Sequence, residues 1–500
     1  MIWRKKGYGI LCIVCKLMSY FKISKFFLYL VPLAVVIVSS STLFPFIVGK
    51  YVFFRGAVSL ATIFFLLGLL FQDKLSVVSG QLLNVFKRPL TIVVFLFVFI
   101  FVIAGFLGVD PAFSFWSNFE RGEGGLQILY FGAFFLLMVM LLKNDKDWRI
   151  MFWISIIAAS LMIFYGIGAG LKYFDAETVI QNIGGVPQKV LTGEGGLLYR
   201  TFKSFVGPDF RDKGYRFAGS IGNSAYVSVY LIFALFYSFY LALSQQKKRT
   251  GLIILMVIFL VFFFLSATRG AFIGLIVAIL MAFLYLGFSI KIWRKWLLRS
   301  GVIMLLIIGL LIFFRNTSFI KSIPGSRIFD ISFKTENFQN RTVIWKIAID
   351  GFKERPFFGW GPENFSYTFD KHYNPKHYSI TAGFGAWYDR AHNVLLDYLN
   401  QAGILGFLSF LSIFAAFYWQ FFSKTQIKAE QKFLEANRRG NKQQSIINNK
   451  QLTIQKALLF ALPIAYFVQG IVLFDILPTY INLFLFLAFA THKLKADNKI

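Results

Sequence analysis

The sequence predicts an all-α integral membrane protein with about twelve transmembrane helices, and three observations carry that prediction. Hydrophobic residues make up 57% of the 500-residue chain and charged residues only 15%, against roughly 25% charged in soluble proteins. The mean hydropathy is +0.65, and with 64 phenylalanines the apolar surface exceeds what a core surrounded by water can enclose. The apolar residues also come in repeated runs of about 20, the length at which a helix crosses a ~30 Å hydrocarbon layer. Disordered, fibrous and disulfide-scaffold classes are excluded on the same grounds.

Taken in order, the first expected span, 26–48, follows Arg4, Lys5 and Lys6 without a small-residue cleavage site, so it reads as an uncleaved anchor behind an N-terminal segment 1–25. Spans at 56–71, 90–108, 126–142 and 150–171 complete an N-terminal membrane region, 26–215, that ends in a long loop, 172–216. Four more follow at 217–243, 251–266, 270–290 and 300–314, and then the longest loop, 315–390, between the ninth and tenth spans. The tenth run, 391–422, is too long for one straight crossing, so its first turns are expected to project from the membrane or lie in a cavity. A polar linker, 423–456, cannot bury a core, and spans at 457–474 and 477–491 close the region 457–500. The two cysteines, Cys12 and Cys15, lack a second pair and a strand-to-helix context, and read as small apolar residues of an interfacial helix. There is no internal repeat of the kind that marks many secondary transporters.

The net charge of +29 invites a nucleic-acid reading, and its distribution removes it. With the N-terminus in the cytoplasm, segments 1–25, 72–89, 143–149, 244–250, 291–299, 423–456 and 492–500 hold 30 Lys and Arg against 6 Asp and Glu, and the opposite face 22 against 16. Cytoplasmic loops are enriched in Lys and Arg, so the positive charge is mostly topology. Both termini are then cytoplasmic, and loops 172–216 and 315–390 lie outside, where function is expected.

Loop 315–390 carries an amphipathic helix from Arg341 to Arg355, stopped by Pro356, with Val343, Ile344, Ile347, Ala348 and Phe352 near one face. The following Phe357-Phe358-Gly359-Trp360-Gly361-Pro362-Glu363-Asn364-Phe365 holds two glycines and a proline that force a tight turn, either a packed re-entry loop or a substrate cradle. His392, in Asp389-Arg390-Ala391-His392-Asn393, falls in the first turn of a span, where the helix dipole disfavours imidazolium. It is either a histidine satisfied at the interface or a neutral proton acceptor. Arg269, in Ser266-Ala267-Thr268-Arg269-Gly270, stands between two spans with almost no loop, as an interface anchor or as an anion site whose planar fork matches phosphate oxygens. Arg216 occupies the same level at the end of another span.

These pieces occur in order: Arg216-Phe217-Ala218-Gly219 with Gly222-Asn223, Ser266 to Gly270, Asn340-Arg341 with Trp345, Pro356 to Phe365, Ala391-His392-Asn393, and Gly403-Ile404-Leu405-Gly406. Together, across 216–422, they resemble the O-antigen ligase and O-antigen polymerase superfamily of bacterial envelope proteins. Ser114 to Arg121 is similar to some members too, whereas Ser224 stands where many members have proline. The resemblance implies a C-type membrane glycosyltransferase of the bacterial inner membrane, acting on the periplasmic or exterior face. It would move a glycan from undecaprenyl diphosphate to a lipid, glycan or protein hydroxyl, with no nucleic acid among its partners. The essential groups it implies are His392, Arg269 and Arg341, with Arg216, Asn223, Trp345, Gly359, Gly361, Asn364, Arg390 and Asn393 binding substrate.

Such a reaction needs no metal or other cofactor in this reading, since a diphosphate is already a good leaving group and the outer loops show no dense Asp or His cluster. Asp389 and Glu363 are possible supporting partners for the histidine or the arginines, and Arg327, outside every motif, is expected to be an ordinary surface charge. Two readings stay open beside a lipid-directed ligase: a polymerase or a protein O-oligosaccharyltransferase of the same superfamily, and a transporter or flippase for a lipid-linked glycan. Transport calls for ionisable residues deep in several helices, and only Asp397 qualifies clearly. The expected topology is tested by cysteine labelling after replacement of Cys12 and Cys15: an impermeant probe should reach a cysteine at Ser379 in intact cells and not one at Ser445, and the reverse pattern overturns the orientation.

Overall fold

The computed structural model describes residues 19–39, 41–71, 75–118, 121–174, 177–183, 186–192, 216–330, 336–375, 387–423 and 442–494. Cys12 and Cys15, Ser379 and most of loops 172–216 and 423–456 lie outside these residues. The chain begins with α1 (Tyr20–Leu30), a 3-10 turn over Val31–Val36, α2 (Val48–Phe71), α3 (Leu75–Phe86), α4 (Pro89–Phe106), α5 (Pro111–Trp116), α6 (Gly125–Leu141) and α7 (Asp145–Phe174). After an antiparallel hairpin of β1 (Glu177–Ile183) and β2 (Val186–Thr192) come α8 (Ser224–Ser244), α9 (Arg249–Leu265), α10 (Arg269–Ser289) and α11 (Arg294–Phe313). The remainder is α12 (Ser318–Ser322), α13 (Glu336–Glu354), α14 (Phe365–Lys371), α15 (Val394–Phe421), α16 (Lys442–Gly470) and α17 (Leu477–Lys493).

Nine of the described helices are long and apolar enough to cross a membrane: α2, α4, α7 to α11, α15 and α16. The twelve expected spans differ from these in identifiable ways. The first, 26–48, is not one helix: α1 stops at Leu30, Pro32 sits in the 3-10 turn, and Ile37 is extended. The second starts at Val48 rather than 56, which places Lys50 inside a helix. The spans expected at 126–142 and 477–491 form the 17-residue helices α6 and α17, and α16 takes the second half of the expected linker into its first turns. The hairpin departs from an all-helical chain, in a segment expected to be a loop.

Short helices suit the middle of the bundle. Every residue of α17 from Leu477 to Thr491 is buried, as expected for a helix apolar on all sides, and Phe131 of α6 stacks on Phe484 of α17 at 5.2 Å. By contrast α11 buries only Gly301, leaving most of its surface for lipid. Small residues bring α10 against α16: a Cβ on Gly274 would lie 2.7 Å from the Ala465 carbonyl oxygen, and one on Gly270 would strike Val472. Such close backbone approach is the usual role of glycine between membrane helices.

Helix α15, expected to be too long for one crossing, is broken at Gly403, with φ 63° and ψ −163°, a conformation essentially restricted to glycine. The break frees backbone groups that lipid cannot satisfy. The turn after Pro356 supplies their partners: Trp360 and Gly361 N–H donate to the Asn400 and Gln401 carbonyls at 2.9 Å each, and Ile404 N–H donates to the Pro356 carbonyl at 2.8 Å. Gly359, at φ 69°, lies so close that a Cβ would sit 2.3 Å from the Asn400 oxygen. Of the two readings of this loop, the packed re-entry loop is what the structure shows.

The amphipathic helix forms as expected but starts at Glu336 rather than Arg341. Its Ile344, Ile347 and Ala348 pack with Phe365, Phe369 and Ala391, with Val343 and Tyr388 at the edge. That small core ties α13 to the turn that bears His392.

Gly403→Ala should therefore lower the thermal unfolding midpoint in detergent, because the Gly-only backbone alone costs about 1–3 kcal/mol in another residue and the new Cβ would lie 2.3 Å from the Phe357 carbonyl oxygen. Gly309→Ala, in a helical position with nothing within 4 Å, should leave the midpoint unchanged or raise it. Equal midpoints for the two variants would refute the account of the break.

Candidate functional site

Four cationic side chains meet at one end of the bundle. Arg216 precedes α8, and its guanidinium donates to the Ser266 carbonyl (3.3 Å) and the Thr268 hydroxyl (3.1 Å) in the tight α9–α10 turn. Arg269 opens α10 and pairs with Asp330 at 2.7 Å while donating to the Arg327 carbonyl. Arg341 comes from the second turn of α13, and its guanidinium makes no hydrogen bond or ion pair among the described residues. Arg327 supplies the fourth: it is exposed, as expected of a surface charge, and it also lines the cavity. These groups repel one another: burial first, and then Arg327, Arg269 and Arg341, push Arg216 down to about 10. Burial likewise holds Arg341 below its ordinary value. Asp330 is the one carboxylate paired with this group among the described residues.

The four line a cavity of about 860 Å³ together with Asn223, Tyr226, His392, Arg121, Glu123 and Lys50. His392 does not occupy the first helical turn as expected. It precedes the N-cap Asn393, whose side chain accepts from the N–H groups of Leu395 (2.9 Å) and Leu396 (3.2 Å). Its backbone is left-handed at φ 53°, an uncommon state for a non-glycine residue that functional sites favour. The ring lies edge-on between Tyr388 (5.2 Å) and Phe474 (5.0 Å).

The Arg390 carbonyl, which can only accept, lies 3.1 Å from His392 Nδ1. In the neutral ring Nδ1 therefore carries the proton, and Nε2 keeps a lone pair. Burial, with Arg341 and Arg121 nearby, lowers the histidine to about 4. The expected neutral imidazole is thus present, for a different reason: desolvation and neighbouring cations rather than a helix dipole.

That backbone is braced by a buried ion cluster. Arg390 pairs with Glu123 (3.2 Å), with Asp397 (3.5 Å) and with Glu363. Asp397 also accepts from Ala391 N–H at 2.8 Å, and Glu123 from Leu477 N–H at 2.9 Å. Beside it Arg121 binds both oxygens of Asp389, at 2.6 and 3.0 Å. Burial pushes Asp389 upward, but the Arg121 charge and hydrogen bonds outweigh it and hold the carboxyl below its usual range.

Of the sequence-derived residues, the structure brings Arg216, Asn223, Arg269, Arg341 and His392 to one cavity. Six others lie outside its lining. Arg390 is consumed by carboxylates, Asn393 caps α15, and Gly359 and Gly361 pack into the re-entry turn. The Asn364 amide donates to Ser114 Oγ and the Trp360 carbonyl, both at 2.9 Å. Trp345 lies edge-on against Phe338, a lining residue, at 5.9 Å. The supporting partners expected of Asp389 and Glu363 prove to be Arg121 and Arg390. Sequence reasoning passed over Lys50, Glu123 and Tyr226, took Arg327 as a surface charge, and quoted Arg121 without a role. The last had a usable signal, since it closes the Ser114 to Arg121 stretch.

No curated protein matches the chain. Residues 254–411, which contain Arg269, Arg341 and His392, match the family model for O-antigen ligase.

Proposed function

We propose that this membrane protein is a glycosyltransferase of the O-antigen ligase type that moves a glycan from undecaprenyl diphosphate to an acceptor hydroxyl on the outer face of the inner membrane. The observation that carries the reading is the pairing, in one cavity, of four clustered arginines with a neutral histidine whose Nε2 is unprotonated. The acceptor oxygen attacks the anomeric carbon, and the bond from that carbon to the diphosphate oxygen breaks. Its electron pair leaves with the diphosphate, and the acceptor proton passes to His392 Nε2. Arg269 and Arg341, helped by Arg216, stabilise the charge that develops on the leaving group.

A ring with a pKa of about 4 is a weak base, and the donor itself corrects this. An anion bound beside Arg341 favours the imidazolium and raises the pKa, because opposite charge stabilises the protonated form. The histidine becomes a better base once the leaving group is in place.

His392→Ala and His392→Gln should both lower the initial rate of transfer about 10²–10⁴-fold, the usual worth of a general base, without loss of membrane insertion. The acid limb of kcat/KM, which reports the free enzyme, should fall near pH 4, and the limb of kcat should lie higher. A full rate in either variant, or a kcat/KM limb at 6.5 or above, removes His392 from the mechanism.

Lysine supplies a point charge without the planar fork. Arg269→Lys and Arg341→Lys should each cost roughly 10- to 100-fold in transfer, the loss of one charged hydrogen bond of about 1.5–3 kcal/mol. Arg299→Lys, exposed on α11, serves as the silent control. Rates measured over a range of donor concentrations separate donor binding from leaving-group stabilisation, and normal kinetics in both variants return the arginines to an anchoring role.

A further inference from the structure

Lys50 has no part in the reaction drawn above, and its surroundings are unusual. It is 2% exposed, yet it lines the same cavity. Its ammonium donates to the Ile37 and Ser220 carbonyls, each at 2.7 Å, and it pairs with no carboxylate among the described residues. An ammonium has three donors, so one remains. A buried charge is costly unless it is paired, and two neutral carbonyls leave the net charge uncompensated. In the same molecule the buried Arg390 has three carboxylates around it, so the chain supplies counter-ions where a buried cation is only structural.

Lys50 also stands apart from the arginines. Arg216 donates to the Ser266 carbonyl and the Thr268 hydroxyl in the α9–α10 turn, whereas the Lys50 ammonium is held on the Ile37 and Ser220 carbonyls. Lys50 shares no acceptor with Arg216 or Arg269, so its remaining donor is open to a group other than the one the arginines hold. The Phe46 ring lies 6.0 Å from the ammonium, and the backbone beside that ring is specific: Gly222 has φ 81°, and a Cβ on it would lie 2.5 Å from Phe46.

We propose that Lys50 forms a second anion subsite in this cavity, separate from the arginine cluster, which takes a phosphate or carboxylate group carried by one of the two substrates. The subsite itself does not depend on the transfer reaction; only the identity of the substrate that brings the anion does.

The test uses the full-length protein in detergent, with inorganic phosphate as the probe and methylenediphosphonate to occupy the arginines. At saturating methylenediphosphonate the wild type should still bind phosphate by calorimetry. Lys50→Met should weaken that binding about tenfold or more, as loss of a charged hydrogen bond requires, and Lys50→Arg should retain it within a few-fold. The unfolding midpoint of Lys50→Met should be unchanged or higher, since an unpaired buried charge is removed. Equal phosphate affinity in wild type and Lys50→Met, complete displacement of phosphate by methylenediphosphonate, or a midpoint loss that Lys50→Arg does not restore would each overturn the subsite.

In transfer assays Lys50→Met should raise KM for one substrate, donor or acceptor, which identifies the source of the anion. A change in neither overturns the assignment. Absence of transfer by the wild type would sink the proposed reaction and leave the phosphate result standing on its own.

Discussion

Backbone hydrogen bonding inside a membrane protein has no water to fall back on, and the break at Gly403 makes that constraint govern the whole site. The carbonyls of Asn400 and Gln401 and the N–H of Ile404 lose their helical partners there, and the Pro356 to Gly361 turn replaces them. Because the turn must lie against the break, α13 and α15 are held at a set position relative to one another. The Trp360 indole then donates to the Gly351 carbonyl at 2.8 Å, and Val109 N–H to the Trp360 carbonyl at 2.9 Å, tying in α13 and the α4–α5 connection. Arg341 on α13 and His392 just ahead of α15 reach the same cavity through this brace.

The charges divide into two populations, and the division is itself informative. Arg390, which is buried, and Arg121, which is part-buried, have carboxylates matched to them, and breaking the buried pairs of Arg390 would leave an uncompensated ion at a cost of roughly 3–5 kcal/mol. Arg216, Arg341 and Lys50 are given neutral oxygens or no partner among the described residues. Leaving cations unpaired raises the energy of the empty cavity and lowers that of the cavity with an anion in it. Departures from local satisfaction of this kind concentrate at functional sites.

His392 depends on both populations. Its left-handed backbone and Nδ1 partner come from the Arg390 segment, which the buried carboxylates hold in place, while its proton affinity is lowered by burial and by the charges of the unpaired Arg341 and the paired Arg121. An anion bound beside Arg341 would raise the proton affinity of the histidine through charge. On the proposed function, donor binding and base strength are linked through charge.

Composition, charge asymmetry and apolar runs determined the class of the protein, because burial of apolar surface in lipid leaves its mark on every stretch of the chain. The order of short motifs likewise marked Arg216, Arg269 and His392, whose residue types are conspicuous at the ends of spans, and Arg341 in the amphipathic helix. The same reading gave Gly359, Gly361, Asn364 and Arg390 a place in substrate binding, since a glycine turn and an arginine look alike whether they cradle a ligand or pack against the chain. Tertiary structure decided between those uses. It satisfied Arg390 with carboxylates 7 to 267 positions away and set Gly359 on a helix break that helical periodicity does not reveal. It also brought in Lys50, whose carbonyl partner Ser220 is 170 residues distant, and Arg121, bound to Asp389 across 268. Contacts at such separations follow from how the helices pack, and no local pattern records them, so the sequence announced the chemistry while only the packed bundle could say which cations were left free to use it.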